Sequence, residues 1–278
     1  MNTIKSTPLF AFLDELDQFL DPAADVGATV RAVRHSLSCA LANPAFGLAC
    51  VARVLDGLDP GYNGWRYPKI HRDPDRGYSV CVFSWTPGLV NAPHRHDTWT
   101  VTGVLHNSLR FNTFRVAPDG AALIPEKRVD AKPGEVGYIC TPCIHNVENP
   151  TSAPALSIHI FNHSQIAGSA AELVEYRMAG TVSQSRDVAP AAPHGAVRED
   201  LLAACAGMIG AHAHARNLPL LDRVLTLAEG KAKLAAIKAM AGIDPLHAAE
   251  RARALAERMA GRVGDRLREA SEAILQHA

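Results

Sequence analysis

His94 and His96 stand two residues apart in Ala92-Pro93-His94-Arg95-His96, and a third histidine, His145, follows in Thr141-Pro142-Cys143-Ile144-His145-Asn146. Alternation along a β-strand puts side chains two apart on one face, so His94 and His96 in a β-type run form a chelate. Adding His145 from a neighbouring strand would complete a three-nitrogen face on one metal ion and leave its opposite side open. Metal sites with open positions are usually catalytic.

The flanking sequence reads as a frame for such a site. Residues 78–85, 98–105, 109–116, 121–124, 136–140 and 156–161 are short β-type runs split by turn residues such as Pro87-Gly88 and Asp119-Gly120. Many short strands at this spacing predict a closed antiparallel barrel or jelly roll that holds one small ligand. Before it, Leu9, Phe12, Leu13, Leu16, Phe19 and Leu20 recur at helical spacing, as do Val30, Val33, Leu37 and Leu41. The expected organisation is an N-terminal helical segment over 1–60 packing on the barrel, the barrel over 61–187, a Pro/Ala/Gly linker over 188–196, and a helical extension over 197–278. Residues 174–182 read equally as a helix continuing from Ser169-Ala170-Ala171-Glu172 or as a last strand. In the extension, Asp244-Pro245 is a helix start, and Leu255, Met259, Val263, Leu267 and Ile274 form a stripe expected to pack on the barrel or between two copies of the chain.

Composition narrows the partners. The 278 residues carry 28 basic and 28 acidic side chains, with no basic run suited to phosphates, so no nucleic-acid partner is expected. No apolar run approaches the roughly 20 residues that span a bilayer, and the chain reads as soluble and cytoplasmic, with no membrane partner. Of the six cysteines, Cys140 and Cys143 have the spacing of a redox or zinc pair. They lack a second pair and sit in a β-type run, so reduced thiols are the favoured reading. His212 and His214 repeat the spacing in a helical stretch, where residues two apart point in different directions and make a poor ligand pair.

Gly88, His94 and His96 are spaced as in the first cupin motif. Cys143-Ile144-His145-Asn146-Val147-Glu148-Asn149 and the run Ser157-Ile158-His159-Ile160-Phe161 resemble the second motif and following strand of the cysteine dioxygenase family of thiol dioxygenases, a resemblance covering 62–162. Cupins usually carry a glutamate soon after the histidine pair. Residues 98–102 contain none, as in the thiol dioxygenases, which bind iron through three neutral histidines. The resemblance implies a mainly β chain built on a cupin double-stranded β-helix, or jelly-roll barrel, with N-terminal helices and a C-terminal α-helical extension. It further implies Fe(II) held by His94, His96 and His145, with O2 and a small thiol as partners and a sulfinic acid as product. Ser157 and His159 match the family's hydrogen-bonded relay.

The match breaks at two places. Phe161 stands where the relay ends in tyrosine, and Tyr62, Tyr67 and Tyr138 are the other phenols that could replace it. Lys69, with Arg72 close by, stands where the family has the arginine that grips the substrate carboxylate, and lysine binds as a point charge instead of a fork. Three functions therefore compete: a dioxygenase of a small thiol other than L-cysteine, an iron cupin acting on a non-thiol or biosynthetic substrate, and a non-enzymatic cupin binding protein. A homodimer through the C-terminal helices is a further expectation.

Overall fold

In the computed structural model, residues 7–21, 24–58, 68–96, 98–162, 173–179, 181–185, 194–259 and 261–277 are described. Three helices come first: α1 (Pro8–Phe19), α2 (Val26–Leu41) and α3 (Pro44–Gly57). Next come β1 (Lys69–Asp73), β2 (Tyr78–Trp85), β3 (His94–His96), β4 (Thr100–His106), β5 (Leu109–Val116) and β6 (Leu123–Ala131). The strands end with β7 (Val136–Ile139), β8 (Ile144–Glu148), β9 (Ala155–Asn162), β10 (Leu173–Ala179) and β11 (Thr181–Ser185). Helices α4 (His194–Ala211), α5 (Leu218–Leu227), α6 (Lys231–Ala241), α7 (Pro245–Ala256) and α8 (Arg262–His277) finish the chain.

Strands β2 to β9 pair as one long antiparallel hairpin rolled on itself: β2 with β9, β3 with β8, β4 with β7 and β5 with β6. Further pairing yields sheets of order β1-β2-β9-β4-β7 and β11-β10-β3-β8-β5-β6, the strand arrangement of a jelly roll. The inner faces share a core of Trp85, Val104, Leu109, Ala131, Val147 and Ala155, drawn from both sheets. The open reading of 174–182 resolves into strands β10 and β11, and β10 brings Glu175 into register with His94. Residues 169–172 and 188–193 of the expected linker lie outside the described residues, as do Tyr62 and Tyr67.

The outer face of the first sheet is roofed by the N-terminal helices. Pro8 follows an N-cap threonine, and Leu9, Phe12, Leu13 and Leu16 of α1 are buried. The buried Tyr78 hydroxyl donates to Asp17 Oδ1 at 2.8 Å, tying α1 to β2. Over β4, a Cβ at Gly103 would stand 2.5 Å from Leu41 Cδ1 and 3.1 Å from Leu37 Cδ2, so a side chain there would have to displace these two leucine ends of α2.

The chain divides into two compact units, Met1–Cys50 with Tyr67–Ala192, and Val51–Arg66 with Pro193–Ala278. The second is helical, with a core that includes Leu201, Leu202, Ile209, Leu221 and Ile237. Glu199 accepts from the backbone amides of Glu229, Gly230 and Ala232, which closes the start of α6. "Mainly β" thus describes the sheet-bearing unit and not the chain, in which more described residues are helical than extended. The stripe from Leu255 to Ile274 also needs correction, because a turn through Gly261 at φ +74° divides it between α7 and α8. The buried face of α7 consists of Ala248, Ala249, Ala252 and Ala256. Asp244 caps that helix as expected, accepting from His247 N at 3.0 Å.

Candidate metal centre

Strand β3 is only three residues long, and its pairing with β8 places His94 directly opposite His145. His96, two residues on, falls on the same face. The three imidazoles converge: one ring nitrogen from each lies within 4.8 Å of the others. Their ring centroids are 4.2 to 5.2 Å apart. Among the described residues no cysteine or carboxylate joins this cluster.

The protonation states suit metal ligation. His94 Nδ1 lies 2.9 Å from the Ala92 carbonyl oxygen, so Nδ1–H donates there and the lone pair resides on Nε2. Burial, with His94 beside it, pulls His96 down to about 3. Burial likewise holds His145 well below the ordinary imidazole value, and His94 and His96 push it further down. Neutral imidazole is the ligating form, so near neutral pH no proton need be displaced from His96 or His145. His145 Nδ1 is buried with no hydrogen-bond partner. Three imidazole nitrogens that converge within 4.8 Å are a donor set that fits a divalent transition-metal ion.

The facing sheet contributes the wall opposite. Ser157, His159 and Phe161 alternate inward on β9, and Phe161's ring stands 5.5 Å from that of His96. Ser157 Oγ and His159 Nε2 are 2.7 Å apart, Trp85 Nε1–H donates to Ser157 Oγ at 2.7 Å, and Thr102 Oγ1 lies 2.9 Å from His159 Nδ1. These contacts have a consistent direction. With Trp85 donating to Ser157, the Ser157 hydroxyl proton goes to Nε2, and the remaining ring proton on Nδ1 goes to Thr102. Phe83 stacks on His159 at 4.0 Å. Burial, with His96 and then His94 nearby, lowers His159 to about 3. Both its nitrogens are engaged, so His159 is neutral and held as part of the wall.

Thr102 and Trp85 stand outside the motifs that pointed to the site. Each reaches the chain through cross-strand register: Thr102 sits opposite His159, while Trp85 sits opposite Ala155, two residues along from Ser157. Lys69 and Arg72 lie on the edge strand β1, opposite Cys81 and Ser79, which are themselves opposite His159 and Phe161. They share the site-bearing face, but their side chains are exposed. Tyr138 is opposite Val101, on the outward face, and 51% exposed, so it does not replace the missing phenol. Cys140 and Cys143 are free and half-buried, and burial raises both thiols. His214 caps a short turn by accepting from Arg216 N, and the described residues hold no metal cluster at His212 and His214.

No family model and no curated protein matches the sequence. Structures similar to it include cupins. An oxalate oxidase in complex with glycolate is 22% identical over 32% of this chain and 43% of its own, with a TM-score of 0.28. A cupin superfamily protein from Desulfitobacterium hafniense is 14% identical over 34% of this chain and 74% of its own, at 0.28. A Klebsiella pneumoniae protein with a double-stranded β-helix domain is 15% identical over 41% of this chain and 90% of its own, at 0.30. This chain therefore spans less than half the length of the oxalate oxidase.

Proposed function

We propose that this protein is an Fe(II)-dependent dioxygenase that combines a small thiol with O2 to give the sulfinic acid, RSH + O2 → RSO2H. The observation that carries the reading is the set of three imidazoles converging on one point, with no carboxylate or thiolate among the described residues of the cluster. Bound Fe(II) would supply the one-electron chemistry by which O2 reacts with a closed-shell thiol.

The chain's own residues would do the rest. His94, His96 and His145 would hold the iron on one side and leave adjacent positions open. Three neutral ligands leave the ion's full double charge uncompensated, which favours an anionic substrate, and a thiolate is such a donor. Phe161 and Phe83 make the facing wall apolar and exclude water, and the chain from Trp85 to Thr102 keeps that wall rigid. Phe161 carries no hydroxyl and Lys69 is an exposed point charge at the sheet edge, so the substrate differs from L-cysteine; a small ω-mercaptocarboxylate fits this description. The same two residues also favour a second reading, an iron oxygenase of a non-thiol anion.

Anaerobic loading with Fe(II), iron analysis and O2 uptake with a panel of thiols and non-thiol acids separate the two readings. The proposal expects one iron per chain and uptake with a thiol. His94→Ala and His145→Ala lose the iron, whereas Glu175→Gln, at the position in register with His94, keeps it. Iron without uptake on any thiol removes the thiol assignment, and loss of iron in Glu175→Gln removes the all-histidine site.

A further inference from the structure

Thr100 is 3% exposed, and its hydroxyl oxygen is buried with no hydrogen-bond partner. Buried hydroxyls nearly always have one. On β4, Thr100 is opposite Phe161 and Thr102 is opposite His159, so both threonines point to the face that carries the site. Thr102 is engaged by His159 Nδ1 at 2.9 Å. Thr100 is not engaged, and the ring beside it, Phe161, is the one that stands 5.5 Å from His96. The described residues on either side of it in the row across this sheet, Phe161 and Ile139, are apolar side chains with nothing to offer a hydroxyl. That leaves the hydroxyl available to a group from outside the chain.

We infer that Thr100 is a specificity-determining residue whose hydroxyl donates to an oxygen of the metal-bound substrate. This rests on the metal reading above and adds to it the kind of substrate. The ion and its three neutral ligands call for an anion, and one donor atom on the metal leaves the rest of a small ligand to run along the inner face. A carboxylate on that remainder, as in a short mercaptocarboxylate, provides the acceptor that Thr100 lacks. A hydroxyl that meets such an oxygen separates a mercapto-acid from a plain alkyl thiol of the same length.

The test uses full-length protein loaded with Co(II), whose visible absorption changes when a thiolate binds, and two probes, 3-mercaptopropionate and ethanethiol. Thr100→Val keeps the shape and removes the hydroxyl, and Thr100→Ser restores it. The expected result is 3-mercaptopropionate binding about tenfold or more weaker in Thr100→Val, as for a hydrogen bond to a charged group. Ethanethiol binding, Co(II) affinity and the unfolding temperature of the ligand-free protein stay at the level of the unsubstituted chain, and Thr100→Ser recovers the affinity. Unchanged 3-mercaptopropionate binding overturns the inference, as does an equal loss for both probes. A lower unfolding temperature without ligand overturns it too, because the hydroxyl then has a structural water as partner. Unsubstituted protein that takes up no Co(II) overturns the metal reading itself, whereas metal uptake with an insensitive Thr100 overturns only this assignment.

Discussion

An imidazole with both nitrogens hydrogen-bonded has no lone pair for a metal, and this separates His159 from the three histidines across from it. His159 spends one nitrogen on Ser157 and the other on Thr102, whereas one nitrogen from each of His94, His96 and His145 converges on a common point. The same burial that keeps these rings neutral has a consequence for stability. His96 and His159 titrate at about 3 in the folded chain and near the ordinary value, about 6.5, when unfolded. Between those values the unfolded chain binds protons that the folded chain does not, so the metal-free protein keeps this stability above about pH 6.5 and loses it as pH falls towards 3. Each such group contributes a slope of up to about 1.4 kcal/mol per pH unit. Denaturant unfolding of metal-free protein between about pH 7 and pH 5 should show the fall, with a shallower slope in His159→Asn; a flat profile there contradicts the buried neutral rings. The histidine pair was legible because its spacing alone puts both rings on one face. Trp85 and Thr102 were not, since their role depends on which strand lies beside β9, and residue spacing within one strand carries no register with another.

Among the elements, strands with an apolar alternation were the most legible. Tyr78–Trp85 and Leu109–Val116 run over the bounds their patterns indicated. β6 runs to Ala131, far past the expected 124, because its middle is exposed and polar; backbone pairing with β5 holds it, and no side-chain pattern announces that. The Leu255 to Ile274 stripe failed for the opposite reason: periodicity continued across Gly261, where the backbone turns. Seating of α2 on β4 leads to a prediction at this scale. A side chain at Gly103 would collide with Leu41 and Leu37, so Gly103→Val should cost about 1–3 kcal/mol through overpacking. Thermal or denaturant unfolding measures it, and an unchanged midpoint would mean that α2 does not sit where it is described. Because Thr102 is next to this position on β4 and Thr100 lies three residues before it, the same substitution should weaken substrate binding more than metal binding.

At the scale of the whole chain, the site belongs to one compact unit, and the second unit, Val51–Arg66 with Pro193–Ala278, is helical among its described residues. Its alanine-rich helices were legible as helices from composition. What the sequence did not reveal is that residues from before the strands, in α3, count with it, since that depends on contacts between distant stretches. The proposed reaction belongs to the other unit, where three histidines would hold an iron at which a thiol meets O2. Its most direct test is the mass of the product formed by anaerobically Fe(II)-loaded protein given 3-mercaptopropionate and isotopically labelled O2. A sulfinic acid in which both sulfur-bound oxygens carry the label is expected, and no such product from His94→Ala. A product without label, or unaltered thiol beside fully loaded iron, would contradict the proposed reaction.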